Sequence, residues 1–92
     1  SAPSALAFSQ TQRLLYYSDS NNLIVRSLNL SSNIVKNVAG NRASGISGIG
    51  GNALNANINF IYGMAVSDSR RQLFLADSVG NRVLFVDLNT NN

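Results

Sequence analysis

The chain contains no cysteine and no histidine. With them go thiol nucleophiles, disulfide staples, imidazole general bases and most zinc sites. Glutamate is missing too, so the acids are Asp19, Asp68, Asp77 and Asp87, scattered over turns rather than paired. No catalytic residue, metal ligand or cofactor site is expected. Charge of either sign is scarce: 12% of residues are charged, about half the usual quarter. Seven Lys and Arg against four acids give a net charge of +3, which reflects few acids rather than a dense basic stretch. No apolar run approaches the roughly 18 residues of a helical membrane span. The opening SAPSALAF lacks the charged n-region and long apolar core of a signal peptide, although a processed chain would already have lost one. The missing cysteine does not fix the compartment, because an extracellular domain with a good core needs no bridge.

What is present is a repeat. A shift of 58 positions sets Ala5 on Gly63 and, without a gap, Ala7 on Ala65, Ser9 on Ser67, Arg13 on Arg71 and Leu15 on Leu73. The match continues through Asp19 and Asp77, Ser20 and Ser78, Val25 and Val83, and Leu30 and Leu88. Apolar character is kept at Phe8 and Val66, Tyr16 and Phe74, and Leu28 and Val86. Short runs of Val, Ile, Leu, Phe and Tyr separated by Ser, Asn, Asp and Gly are strand chemistry punctuated by turns. The first unit reads as strands at Ala5–Ser9, Leu14–Ser18, Leu23–Leu28 and Ile34–Ala39. The second reads as strands at Gly63–Ser67, Gln72–Ala76 and Arg82–Asp87. Connections such as SQTQR and DSRRQ suit hairpins, so each unit is expected to be an antiparallel meander.

Between the units lies AGNRASGISGIGGNALNANINF, which holds five of the seven glycines. Glycine at this density points to positive φ or close chain approach. A phosphate cradle would need Lys-Ser/Thr after the last glycine, or GxGxxG opening a helix, and GIGGNALN offers neither.

These residues resemble the NHL-repeat family of β-propellers. The resemblance is carried by VAGNRASGISGIGGNALNANINFIYGMAV and by LFLADSVGNRVLFVDL, the second matching the family signature from Leu73 to Val83. It covers both repeats and hence most of the chain. There are departures. The family loop commonly carries Asp followed by Gly-Gly-Pro-Ala, where this chain has Ile49, Gly50, Gly51, Asn52 and Ala53. The proline before the inner strand is present as Pro3 but replaced by Ile61 in the second unit, and Asn-Arg becomes Leu23-Ile24 in the first. The resemblance implies an all-β fold of antiparallel four-stranded propeller-type blades. The first blade, of four strands, covers 1–40, the Gly/Asn-rich inter-blade loop 41–60, and the second blade, of three strands, 61–92. Asp77 and Arg82 are expected to form a structural turn pair, the Arg reaching back to the carboxylate across the hairpin. Asp19 keeps the turn role in the first unit, where the Arg partner is missing.

By the same offset Asn92 corresponds to Ile34, so the outer strand of the second blade is not expected within these residues. The third strand, with Val83, Leu84, Phe85 and Val86, would then present an apolar open edge, a template for another strand. Two blades do not close a ring, since propellers use about four to eight. The blades are therefore incomplete, or completed by further propeller chain or by self-association through strand complementation into a homo-oligomer.

For function, a non-enzymatic structural or protein-interaction module is favoured, extracellular or at the cell surface, with another protein partner open. Asn29-Leu30-Ser31 is an N-glycosylation sequon on the turn between the third and fourth strands, making Asn29 the candidate glycan site. The alternative is an RNA-binding NHL propeller whose rim carries Arg13, Arg70 and Arg71. A modest cluster of this kind is more often a solvated rim, and nucleic acid is the less favoured partner. A propeller lactonase or lyase lacks its usual Glu and His ligands here.

Overall fold

Alternating apolar residues and turns of four or five residues produce seven β-strands and no α-helix among the described residues of a computed structural model, which are 3–19, 23–41, 53–55, 58–78 and 82–90. In the first unit β1 spans Pro3–Ser9, β2 Leu14–Asp19, β3 Ile24–Asn29 and β4 Val35–Ala39. In the second, β5 spans Ile61–Ser67, β6 Gln72–Asp77 and β7 Arg82–Asp87. They form two antiparallel meanders, a four-stranded sheet in the order β1-β2-β3-β4 and a three-stranded sheet in the order β5-β6-β7. The strands begin and end within two residues of the sequence-based bounds. The second unit repeats the first three strands at the same shift of 58 positions, as Pro3/Ile61, Leu14/Gln72 and Ile24/Arg82 show.

Register repeats as well. Leu6 faces Tyr17 as Met64 faces Leu75, Ala7 faces Tyr16 as Ala65 faces Phe74, and Ser9 faces Leu14 as Ser67 faces Gln72. Both inner hairpins are irregular near the start of the inner strand, between Pro3 and Leu6 and between Ile61 and Gly63. The turn residues Arg13 and Arg71 both take a left-handed backbone with φ of 56°, the position from which a four-residue connection re-enters the next strand. Leu23 and Asn33 do the same in the other two hairpins of the first unit, with φ of 57° and 62°. Asn tolerates this conformation well, whereas Leu adopts it at a cost.

The expectation of glycine at positive φ applies at Gly40, with φ of 95°. Its N–H donates to the Ala53 carbonyl at 3.0 Å, fastening the end of β4 to a short 3₁₀ turn, Ala53–Asn55. A side chain there would collide with the Leu23 carbonyl oxygen and lie 2.9 Å from Ile58 Cγ1. The remaining glycines of the 41–60 segment lie outside the described residues.

The two sheets stack through opposite faces. The core joins Ala5, Ala7, Leu14, Tyr16 and Val25 of the first sheet to Met64, Val66, Leu73, Leu75, Leu84 and Val86 of the second. Val38, Ala39, Ala53, Ile58 and Ile61 close it. Strand alternation puts each of these sets on one face of its own sheet. β1 and β5 are in contact, and their C-terminal ends meet where Ser9 Oγ donates to Asp68 Oδ1 at 2.6 Å.

Candidate functional site

The Asp-Ser turn shared by the two units builds a polar anchor in each. In the second, Asp77 is fully buried, and its Oδ2 accepts from Arg82 Nη2 at 3.2 Å. The same oxygen accepts from the backbone N and from Nδ2 of Asn59, each at 3.3 Å. A buried carboxylate needs both neutralisation and donors, and Arg82 and Asn59 supply them. Ser78 N also donates to the Phe60 carbonyl at 3.1 Å, so the end of β6 is stitched to the chain that enters β5. Asn59 carried no sequence signal, being one of several asparagines in its segment.

The first unit corrects one expectation. Asp19 is not left without an arginine: Arg26 Nη2 lies 3.5 Å from its Oδ2. Asp19 faces Ile24 across the hairpin, and Arg26 lies two positions further along β3, hence on the same face of the sheet. A long side chain one pleat away reaches the carboxylate that the residue opposite it cannot serve.

The rim of the inner hairpins is built from both units. Asp68 accepts from Ser9 Oγ and, at 3.4 Å, from the backbone N of Thr11. The Ser9 hydrogen bond, foremost, holds the Asp68 carboxyl below its ordinary pKa; desolvation opposes it, and lesser hydrogen bonds from Thr11 and Gln10 add to the lowering. Gln12, with its amide oxygen turned toward Arg71, accepts from Nη2 at 2.9 Å, from Nε at 3.2 Å and also from Nη1. Behind this clasp, burial raises the Tyr16 phenol pKa; nearby Arg71 works in the opposite direction and Asp68 adds to the rise. Of the three rim arginines, Arg71 is thus half-buried and engaged, while Arg13 and Arg70 are exposed. Asp68 sits among them, so the rim is mixed in charge.

Asn29 is the last residue of β3 rather than part of the turn itself. Its Oδ1 accepts from Ser31 N at 2.9 Å and Ser32 N at 3.1 Å, an Asx turn that shapes the connection to β4. Residues Leu30 to Asn37 around it are exposed.

The strand β7 has β6 on one side only among the described residues, whereas its counterpart β3 lies between β2 and β4. Val83 and Phe85 are 71% and 57% exposed, Leu84 is half-buried and Val86 is buried. The exposed pair lies on the face of the second sheet opposite the core, where Phe85 meets Phe74 with ring centroids 6.2 Å apart. Val83 borders an open apolar depression of about 240 Å³ lined also by Gly63, Met64, Ala65, Phe74, Leu75 and Ala76.

Among the described residues no three Asp side chains come together as a metal-ligating group, and no helix is long and apolar enough to cross a membrane. No protein-family model matches the chain, and no curated protein sequence matches it.

Proposed function

We propose that the chain is a non-enzymatic structural or protein-interaction module made of NHL-type propeller blades, which joins further blades or other copies through the open edge of β7. The observation that carries this reading is the asymmetry between the two sheets. The strand β3 pairs with β4 from Leu28/Val35 to Val25/Ala39, while its counterpart β7 has no strand on its outer side among the described residues. A strand with apolar side chains at the edge of a sheet is a template for pairing with another strand. The low charge and the mixed rim favour contact through strands and faces over electrostatic capture of a polyanion. An extracellular setting fits the Asn29 sequon, whose exposed turn leaves room for a glycan.

The test supplies an outer strand for β7 in trans. A peptide of the β4 segment, residues 34–40, is titrated into the chain while backbone amide signals are followed. Saturable shifts along β7, absent with a scrambled peptide, are expected. Unmoved β7 amides at saturating peptide would contradict the edge as the docking element.

A further inference from the structure

The contact between the two sheets pairs unlike faces, and the two faces left bare are the counterparts of those already paired. Under the 58-residue shift the bare residues Leu6, Phe8 and Leu15 of the first sheet correspond to Met64, Val66 and Leu73, which are in the core of the second. The bare residues Ala65, Phe74 and Val83 of the second sheet correspond to Ala7, Tyr16 and Val25, which are in the core of the first. Leu6 and Phe8 are 58% and 47% exposed on one side of the molecule, as Val83 and Phe85 are on the other. Each end of the stack therefore presents the half that the other end lacks.

We infer that a second copy of this chain docks head to tail, seating the Leu6/Phe8/Leu15 face of its first sheet on the Ala65/Phe74/Val83 face of the second sheet. The inference rests on the proposed assembly and deepens it by naming the occupant and a surface beside the β7 edge, the outward faces of the two sheets. Its support is continuity with the interface inside the chain, whose strand register the bare faces share. The bare faces are also richer in aromatic residues than the pair already buried: Tyr17, Phe74 and Phe85 stand where Leu75, Tyr16 and Ser27 do. Aromatic enrichment marks the core of protein interfaces. A heterologous contact of this kind repeats, giving a ring if its rotation closes and a filament if it does not.

The polar clasp is not reproduced. Where Ser9 meets Asp68 inside the chain, Ser67 of one copy meets Gln10 of the next. Where Gln12 holds Arg71, Arg70 of one copy faces Arg13 of the next, two like charges. Stacking between copies is thus held by apolar faces and opposed at the rim by charge, so it strengthens with salt.

The absence of native cysteine makes the test direct. Gln10→Cys and Ser67→Cys chains, each alone and co-refolded as an equal mixture, are treated with a short bismaleimide. A covalent dimer joining position 10 to position 67 is expected only in the mixture, with a yield that rises with salt. It should be lost when the Gln10→Cys chain also carries Phe8→Asp. Dimers of either variant with itself would mean that like faces pair and overturn the head-to-tail arrangement. No 10-to-67 dimer in the mixture would overturn face stacking, while leaving the edge reading to be judged by the β4 peptide.

Discussion

At Gly40 the fold asks for one residue type. The backbone is left-handed, and the space a Cβ would fill is taken by the Leu23 carbonyl and Ile58. Gly40→Ala is expected to cost about 1–3 kcal/mol, through strain at positive φ and displacement of neighbours. Urea unfolding checks this, and an unchanged midpoint and slope would show that the position tolerates a side chain. The need for positive φ in the glycine-rich segment was legible in its composition, but which glycine carries it was not. The collision partners come from the turn that enters β3 and from the chain before β5, and no local pattern reports them. The same applies to Arg26: the sequence shows that position 24 lacks an arginine. Only strand pairing shows that a side chain one pleat further along reaches Asp19.

Among elements, the strands were the most readable feature. Their bounds follow from short apolar runs and polar turns, and the internal repeat makes each unit a check on the other. The contact between the inner hairpins was not readable, because Ser9 and Asp68 lie 59 positions apart. Their hydrogen bond carries a pH dependence. The Asp68 carboxyl is held below its ordinary value in the folded chain, so its contribution to stability is present above the unfolded-state pKa and is lost as pH falls through the depressed folded-state pKa. The clasp should therefore weaken only in acid, and Asp68→Asn should flatten that part of the stability profile. Urea midpoints across the acidic range measure it; parallel acid profiles for the two chains would show that the clasp does not couple the sheets. The effect is expected to be small, because this carboxylate is close to solvent and screened.

For the molecule as a whole, the repeat explains both what is buried and what is bare. One unit alone would leave both faces of its sheet in water; two units cover one face each and leave the complementary pair outside. Repeat architectures of this kind gain stability from each neighbour added, and on the proposed reading the outward faces and the β7 edge, which has no outer strand among the described residues, are where neighbours add. Of the candidate surfaces, the β7 edge is an expectation that comes from counting strands in each unit. The stacking faces required the register and the knowledge of which side of each sheet meets the core.

Sedimentation equilibrium of the unmodified 92-residue chain over a wide concentration range, at low and high salt, tests this most directly. A mass that rises above the 9.8 kDa of one chain, and rises further with salt, is expected if the complementary faces meet. A single species at the monomer mass under every condition would contradict it.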